Sequence, residues 1–412
     1  MRKTDYDVVI VGAGIAGCTA AVLFSRRGLR IALIERKPDP NDYKKICTHF
    51  IQPSATPTIR RLGLDSLIEA AGGIRNGVEI WTRWGWIRPS PVETAKHSSY
   101  GYNIRRQKLD PILRSLAASA PGVEFMPGQT AHRLISTDGR MAGVAVEDTG
   151  GRAREIGARL VVLADGRDSR LAELSGVPKK VRPNNRFAYF AYYHNLPLAA
   201  GKKTQLWFLD PDIAYAFPND DDLTLMACMP TKDKLSAFKV DIEGNFVGFI
   251  KALPDGPRIE QGERVSELLG IVDFPNVSRA LVQPGLALIG DAALMSDPVW
   301  GVGCGWAFQS AEWLVESTAD ALLGHGDLLA ALKRYQKKHR STLAAHHFMN
   351  CDYATGRHFN PIEKLIYSAA AKDAVIARHV HAYGSRNISV LQFLLSPAII
   401  ARALWINMKR GR

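Results

Sequence analysis

The clearest indication of the fold is the stretch Tyr6–Glu35, which reads YDVVIVGAGIAGCTAAVLFSRRGLRIALIE. Val8–Val11 is a continuous apolar run, which is typical of a parallel strand buried on both faces. It leads into the GxGxxG turn Gly12–Gly17, and the Ala- and Leu-rich residues that follow predict a helix up to Arg27. Ile31–Ile34 predicts the next strand. The stretch therefore predicts the first βαβ unit of a doubly wound parallel sheet.

Each position of the turn has a physical role in binding a dinucleotide. Gly12 permits the tight turn, Gly14 lets the backbone approach a pyrophosphate, and Gly17 lets the helix pack closely on its strand. The start of the helix, which includes Ile15 and Ala16, offers free N–H groups to the phosphates. Glu35 follows at the end of the second strand, where its carboxylate would accept hydrogen bonds from ribose hydroxyls. A carboxylate there disfavours a 2′-phosphate, so the ligand predicted is FAD or NAD.

Composition limits the class of protein. The chain has 412 residues, 46% hydrophobic and 23% charged, which is typical of two or three packed globular domains. Its five cysteines include no CxxC pair, and its histidines lack the spacing of a metal site. The first strand begins almost at the first residue and no long apolar span is present, so we expect no signal peptide, no transmembrane segment and a cytoplasmic location.

The net charge of +13 leaves several interpretations open. It is compatible with an ordinary basic surface, with an anionic membrane surface, or with an acidic carrier protein that holds the substrate. Nucleic acid is disfavoured, since the sequence has no binding motif and no basic stretch interleaved with aromatic residues. The oligomeric state stays open.

The pattern of apolar runs predicts three regions. Buried runs and helical segments assign residues 1–75, 101–180 and 278–326 to a discontinuous dinucleotide-binding domain. Alternating, aromatic-rich segments assign 76–100 and 181–277 to an antiparallel sheet that binds substrate. Residues 327–412 read as a helical region, with helices at 327–349, 361–382 and 388–408.

The last helix, 388–408, is rich in large apolar residues and ends in Lys409-Arg410-Gly411-Arg412. One interpretation is a helix that caps an apolar substrate site. The other is an interfacial anchor with a basic end on acidic lipid. We favour the cap, because Pro397 interrupts the helix and an interfacial helix requires a sharper polar face.

Three motifs occur in a fixed order along the chain. The GxGxxG turn comes first, Asp165-Gly166 follows the apolar run Leu160–Ala164, and the late stretch Gly290–Ala307 reads GDAALMSDPVWGVGCGWA. The late stretch resembles the GDA…PxxGxG…A motif of flavoprotein monooxygenases of the para-hydroxybenzoate hydroxylase superfamily. The resemblance covers about residues 1–325 and implies that the dinucleotide is FAD.

The resemblance also implies roles for individual residues. Asp291 would accept hydrogen bonds from ribityl or ribose hydroxyls, and Pro298 would shape the wall beside the isoalloxazine ring. Arg106 in RQKLD matches the family's Arg-x-x-Leu position near the phosphates, with Arg105 as the substitute. Backbone N–H groups of the loop would stabilise negative charge on the reduced ring. The complete set expected to bind FAD is Gly12, Gly14, Ile15, Ala16, Gly17, Glu35, Arg36, Arg106, Ala131, Asp165, Asp291, Pro298, Gly301, Val302, Gly303 and Cys304.

By the same resemblance, the expected activity is a monooxygenase of secondary metabolism. It would hydroxylate or epoxidise a bulky hydrophobic or aromatic substrate through a flavin C4a-hydroperoxide, with no obligatory side-chain acid or base. Electrons would come from NAD(P)H, directly or through a separate flavin reductase. Aromatic residues expected to contact substrate are Tyr192, Trp207, Tyr215, Phe217 and Trp300.

Departures from the superfamily pattern keep two other functions open. Ala172 stands where the middle motif DGxxSxxR has its final arginine, which weakens the expectation of direct NADPH use. Asp297-Pro298 and Ser310 are similar to the branch of geranylgeranyl reductases and flavin-dependent halogenases. The halogenase-like WGWIRP at 84–89 lies too early in the chain, so halogenation is disfavoured. The alternatives are a reductase of isoprenoid or other C=C bonds and, more remotely, a non-catalytic lipid-binding chaperone.

Overall fold

A parallel sheet forms around the first strand, and the computed structural model describes this chain over residues 5–90 and 98–409. Strand Tyr6–Val11 lies at the centre of the sheet, between Ile31–Glu35 on one side and Ala153–Leu163 on the other. Val123–Pro127 and Leu286–Leu288 extend the sheet outward, both in parallel. This arrangement confirms the predicted doubly wound α/β fold.

Helices pack on this sheet where the sequence predicts them, with shifted ends. The first helix, Ile15–Ser25, ends two residues before the predicted Arg27. The sequence predicts one helix from about Ser54 to Ala71, but this stretch is split into Thr56–Leu62 and Leu64–Ala70 by Gly63, which has a left-handed φ of 70°. Arg106–Ala118 and the 21-residue helix Val302–Leu322 complete this layer.

A second, mixed sheet lies beside the first. Its central strands Ala188–His194, Leu223–Met229, Ile213–Pro218 and Thr204–Phe208 pair antiparallel in that order. Strand Val78–Thr82 then pairs in parallel with Thr204–Phe208. One face of this sheet packs on the main hydrophobic core, and the other carries a smaller core of its own.

Two helices of the second sheet's region were not predicted. Leu235–Val240 and Ile242–Lys251 lie within the segment 181–277 that the sequence assigns to strands. Phe238, Phe246 and Ile250 of these helices are buried in the smaller core. They cover the face of the sheet that points away from the parallel sheet.

The C-terminal region is helical as predicted, but its helices are more numerous. The predicted helix 361–382 is two helices, because Asp373 accepts hydrogen bonds from the N–H groups of Val375 and Ile376 and starts a new helix. The predicted helix 388–408 is likewise broken before Pro397. The five helices are Leu328–Tyr353, Pro361–Ala370, Ala374–Gly384, Val390–Leu395 and Pro397–Lys409.

The remaining strands are short or lie at sheet edges. The ribbon Gln129–Thr137 and Arg140–Asp148 pairs with Ala153–Leu163, and its first strand was not predicted. The other strands are Phe50–Ile51, Ile74–Asn76, Gly85–Ile87, Gly101–Asn103, Lys179–Arg182, Glu263–Arg264, Leu269–Ile271, Asn276–Arg279, Val282–Gln283 and Leu294–Met295. A five-residue helix, Arg170–Leu174, follows the middle motif. Part of the segment 76–100 and the basic residues Arg410 and Arg412 lie outside the described residues, and the domain boundaries stay a prediction.

Candidate functional site

The glycine-rich turn has the geometry that a dinucleotide requires. Gly12 has a φ of +102°, and a Cβ there would lie 2.6 Å from the backbone oxygen of Ala164. A Cβ on Gly17 would lie 1.8 Å from the oxygen of Gly12, so the helix and the turn are in direct backbone contact. At Gly14, by contrast, a Cβ would meet no protein atom within 4 Å, and Gly14 lines a large cavity. The turn therefore leaves space beside Gly14 for a ligand.

The start of the first helix faces this space with its backbone donors exposed. Gly14 is the N-cap residue and supplies no side-chain hydrogen bond, so the first N–H groups have no side-chain partner. Ile15 and Ala16 of the first turn line the same cavity. The helix dipole adds positive potential at this end, which suits a pyrophosphate.

Glu35 lies beside the turn and is held in place by it. Its Oε2 accepts a hydrogen bond from the N–H of Ala13 at 2.8 Å, and its Oε1 accepts one from the N–H of Lys37 at 3.0 Å. Each carboxylate oxygen keeps a further lone pair for a ligand. Glu35 and its neighbour Arg36 both line the cavity, as the expected ribose site requires.

Arg106 lies in the cavity wall as a buried, permanently charged group. Its Nε donates to Asp110 Oδ1 at 2.5 Å, and its backbone N–H donates to His49 Nδ1 at 3.0 Å. Burial opposes the charge, but the Asp110 carboxylate outweighs it and raises the pKa of Arg106 above its ordinary value. Arg105, the substitute, instead pairs with Asp220 at 2.7 Å. Arg106 is therefore the guanidinium available to a phosphate.

The late motif lines another part of the same cavity. Asp291 lines the cavity, and its Oδ2 accepts a hydrogen bond from Lys44 Nζ at 2.9 Å. Asp297 is buried and its carboxylate accepts from the N–H of Val299 at 2.7 Å and from Asn184 Nδ2 at 2.8 Å. Burial raises the pKa of Asp297, while these hydrogen bonds to the carboxylate oppose the shift. Asp297 thus fixes the loop that carries Pro298.

Gly301 turns the chain from this loop into the helix Val302–Leu322. It has a φ of +61°, and a Cβ there would lie 2.4 Å from Cδ1 of Phe50. Gly301 is the N-cap residue and makes no side-chain cap, so the N–H groups at the start of a 21-residue helix stay available. Val302, Gly303 and Cys304 line the cavity. This helix start therefore presents donors and a positive dipole to a group that gains negative charge.

Two cysteines meet beside the helix start. The Sγ atoms of Cys47 and Cys304 are 3.9 Å apart, and the N–H of His49 donates to Cys47 Sγ at 3.3 Å. The hydrogen bond from Cys304 lowers the pKa of Cys47 well below its ordinary value, against the effect of burial, with further help from His49 and Arg106. The pKa of Cys304 is raised, because the same contact and burial both disfavour a second charge. The contact therefore favours deprotonation of Cys47 over deprotonation of Cys304.

One continuous cavity of about 860 Å³ joins the glycine-rich turn to these cysteines. The other predicted cofactor residues Ala131, Asp165 and Pro298 also line it, whereas Gly17 lies behind the turn. Burial raises the pKa of Asp165. The cavity continues against an apolar wall formed by Ala188, Phe190, Tyr215, Ala227 and Met229 of the second sheet and by Phe274 of the loop that follows its strand Leu269–Ile271.

The predicted substrate residues divide between three places. Tyr215 lies in the apolar wall, and its hydroxyl donates to the Val299 oxygen at 3.0 Å. Phe217 and Trp300 line a smaller neighbouring cavity towards the C-terminal helices. Tyr192 is hydrogen-bonded through its hydroxyl to His49 Nε2. These four remain within or next to the core that faces the cavity.

The prediction for Trp207 is wrong. Side chains alternate along strand Thr204–Phe208, so Leu206 and Phe208 face the main core while Trp207 points to the opposite face. There Trp207 is fully buried and its Nε1 donates to the Pro254 oxygen at 2.8 Å. Its position is explained by the two unpredicted helices, which cover that face.

Sequence reasoning missed several residues that shape the site. Lys44 and Arg114 both line the cavity, and Arg114 Nε donates to the Ala13 oxygen at 3.1 Å, bracing the glycine-rich turn. Phe190, which lies in the apolar wall, was not among the predicted substrate residues. The basic, irregular segment around Lys44 was the only available signal, since its partner Asp291 is 247 residues away in the sequence.

Two other predictions concern absences. Within residues 5–90 and 98–409, no cluster of three or more histidine, cysteine, aspartate or glutamate side chains could hold a metal ion. No helix in that part of the chain combines the length and apolar content that crossing a bilayer requires.

Comparison with known proteins identifies the cofactor of this site. An FAD binding domain family model matches residues 5–234. A digeranylgeranylglycerophospholipid reductase of Picrophilus torridus is 24% identical over 355 residues, covering 84% of this chain and 86% of the relative. A kynurenine 3-monooxygenase of Salinispora arenicola is 28% identical over 417 residues, covering 92% of this chain and 86% of the relative.

Solved structures share the fold over nearly the whole chain. A flavoprotein/dehydrogenase from Cytophaga hutchinsonii has a TM-score of 0.81 at 17% identity, covering 98% of this chain and 99% of its own. A flavin-dependent brominase has a TM-score of 0.77 at 18% identity, covering 99% and 100%. With a family match over more than half of its length and a cavity suited to the dinucleotide, this chain belongs to the FAD binding domain family and is an FAD-dependent oxidoreductase.

Proposed function

We propose that this protein is a monooxygenase that adds oxygen to a bulky hydrophobic substrate. The proposal is supported by one observation above the others: the apolar wall on the second sheet and the helix start at Gly301–Cys304 line the same cavity. An apolar molecule on this wall would lie next to the site expected for the isoalloxazine ring. NAD(P)H, used directly or through a separate flavin reductase, is the electron donor that we propose.

Different residues of the site would bind different parts of FAD. Glu35 would hold a ribose, Arg106 and the first helix start would neutralise the phosphates, and Asp291 would hold the ribityl chain. When FAD binds, the Asp291 carboxylate would either lose its hydrogen bond from Lys44 and accept hydrogen bonds from ribityl hydroxyls, or accept hydrogen bonds from Lys44 and the hydroxyls together. When bound, FAD supplies the redox chemistry. The N–H groups from Val302 onward would stabilise negative charge at the ring edge beside them.

The apolar wall would position substrate and exclude water. Phe190, Ala227, Met229 and Phe274 carry no charged or hydrogen-bonding side-chain group. The one hydroxyl on the wall, that of Tyr215, is already donated to the Val299 oxygen, and burial raises its pKa well above the ordinary value. Tyr215 therefore stays neutral. A wall of this chemistry favours an apolar substrate and keeps bulk water from the reacting centre.

Cys47 supports a second candidate function, the reduction of a C=C bond. Such a reduction requires a proton for the second carbon, and a thiol beside the ring is a suitable donor. Cys47 lines the cavity, and its Sγ lies 3.9 Å from Cys304 Sγ. The reductases among the relatives are consistent with this candidate, which the following experiment separates from the first.

The test uses the FAD-loaded protein, reduced without oxygen by NADPH or by dithionite. The reduced protein is then mixed either with ¹⁸O₂ and an apolar substrate or, in the absence of oxygen, with an isoprenoid alkene. The products are analysed by mass spectrometry. Incorporation of ¹⁸O into an apolar substrate supports the monooxygenase. Saturation of the alkene without oxygen, abolished by Cys47→Ser but not by Cys351→Ser, overturns it in favour of the reductase. Cys351 is buried and lines neither cavity. Purification without FAD overturns both.

A further inference from the structure

The last helix is apolar on two opposite sides. Its inner side packs on the protein through Ile399, Ala403 and Ile406, three positions at helical spacing. Its outer side places Pro397, Ala401, Leu404 and Met408 at the spacing i, i+4, i+7 and i+11, and all four are exposed. A helix in a water-exposed position normally presents polar residues on its outer side. This outer side has an apolar stripe instead.

Large exposed apolar side chains occur on this helix and on the one before it. Leu404 and Met408 are 46% and 67% exposed, and Trp405 beside them is 45% exposed. On the preceding helix Val390–Leu395, Leu391 and Leu395 are one turn apart and are 67% and 57% exposed. We call Leu391, Leu395, Leu404, Trp405 and Met408 the outer apolar face.

The inner sides of the same helices are packed closely against the protein. Phe393 is fully buried and stacks on Tyr383 with ring centroids 4.0 Å apart. Arg402 makes a two-pronged contact with Asp373 at 2.7 and 2.8 Å. Asn407 Nδ2 donates to Ser368 Oγ at 2.9 Å. The polar residues of the helix thus secure it to the protein. None of residues 397–409 lines either of the two cavities described above, so the cap interpretation stays a prediction.

The charges around the outer apolar face are of one sign. Residues 361–409 contain two acids, Glu363 and Asp373, and each is paired with an arginine and largely withdrawn from solvent. The exposed charges of the same region are cations: Lys364, Lys372, Arg378, Lys409 and Arg402, of which Arg402 is paired with Asp373. Lys409 Nζ lies 4.0 Å from the centre of the Trp405 ring, so the aromatic and the cation mark one edge of the face. The sequence adds Arg410 and Arg412 directly after it.

We infer that the outer apolar face docks on the surface of an anionic lipid bilayer. Exposed leucine, methionine and tryptophan side chains would enter the acyl boundary, and the surrounding cations would contact acidic headgroups. A second copy of the chain fits less well, because two such faces would bring their cations together without an acid between them. The inference goes beyond the proposed function, and does not depend on the reaction catalysed.

The position of the outer apolar face relates lipid binding to the candidate site. Helix Ala374–Gly384, on which Phe393 stacks, contributes His381 and Gly384 to the smaller cavity. That cavity shares Phe50, Tyr215 and Gly301 with the main one. Docking would therefore place the substrate end of the molecule, rather than its glycine-rich turn, towards the bilayer.

The test is flotation of the FAD-loaded full chain with vesicles. We expect the protein to float with phosphatidylcholine vesicles that contain phosphatidylglycerol, and to be released by high salt. Leu404→Glu with Met408→Glu should weaken binding by about tenfold or more, because two apolar groups would no longer enter the boundary. Val240→Glu, at a position 87% exposed on a helix of the second sheet's region, is the matched control and should bind normally.

Three results would overturn the inference. The first is binding of the double variant as tight as that of the wild type, with normal FAD content showing that it is folded. The second is equal binding to vesicles of phosphatidylcholine alone, which would remove the role of the cations. The third is a dimer in light scattering that dissociates in the double variant without any binding to vesicles, which would assign the face to a second copy.

Discussion

Acidification from pH 7 to pH 5 should destabilise the C-terminal helices, because burial lowers the pKa of four of their histidines, His339, His346, His347 and His381, and the shift is large in three of them. Burial lowers the pKa of His339 and of His346 to about 3, and that of His381 to about 4. His339 packs edge-on against Trp313 and Tyr335, and His346 stacks on Tyr383 while its Nδ1 lies 3.2 Å from Arg386 Nη1. None of these surroundings offers a carboxylate to a protonated ring.

The sign and the size follow from proton binding. An unfolded histidine has a pKa of about 6.5, so between about pH 4 and pH 6.5 the unfolded chain binds more protons than the folded one. The contribution of these neutral histidines to the free energy of unfolding is therefore fully present above about pH 6.5, and it is lost as the pH falls through this window. Between pH 7 and pH 5 each buried histidine removes about 2 kcal/mol from the free energy of unfolding. Three together remove about 6 kcal/mol, a large part of the stability of a typical domain.

The assay is denaturant-induced unfolding of the FAD-loaded protein at a series of pH values, followed by circular dichroism. His339→Gln should remove about 2 kcal/mol of the pH dependence, while His325→Gln, at an exposed position, should leave it unchanged. A free energy of unfolding that does not change between pH 7 and pH 5 would contradict this prediction. So would a pKa near 6.5 for His339 or His346, measured in the folded protein by nuclear magnetic resonance.

Three further predictions concern the site itself. Asp291→Ala should abolish retention of FAD and leave the protein folded, and a flavin spectrum like that of the wild type would contradict the assignment. Gly17→Ala should lower the melting temperature, because its Cβ would meet the Gly12 oxygen at 1.8 Å, whereas Gly14→Ala should fold normally and weaken FAD binding, as measured by fluorescence titration. Equal effects of the two would contradict the distinction. Cys304→Ala should raise the pKa of Cys47 and slow its alkylation by iodoacetamide at pH 7, since the largest stabilising contact of the thiolate is removed.

The parts of the fold that the sequence predicted depend on short-range patterns. The turn at Gly12 and Gly17 could be predicted because each glycine is required by a backbone contact within a few residues or on the adjacent strand. The break at Pro397 was also visible, since proline cannot continue a helix from the preceding residue. The split at Gly63 was not predicted, because a glycine within a helical pattern is frequently tolerated.

The parts that the sequence did not predict depend on partners far away in the chain. Period-two alternation assigns Trp207 to one face of a strand, but it does not say which face meets the cavity. That choice is made by helices Leu235–Val240 and Ile242–Lys251, which bury Trp207 in their own core. The contact between Lys44 and Asp291, and that between Cys47 and Cys304, likewise join residues that no local pattern relates.

One side chain shows how the C-terminal region becomes part of the site. Gln52 is fully buried, and its Nε2 donates to the Trp300 oxygen at 2.8 Å and to the Gly384 oxygen at 2.8 Å. Trp300 directly precedes the Gly301 turn, and Gly384 ends the helix on which Phe393 stacks. Because an unpaired buried carbonyl is costly, moving this helix would disturb the loop beside the isoalloxazine site. Helix Ala374–Gly384, against which both helices of the outer apolar face pack, is therefore joined through one amide to the loop that would contact the flavin.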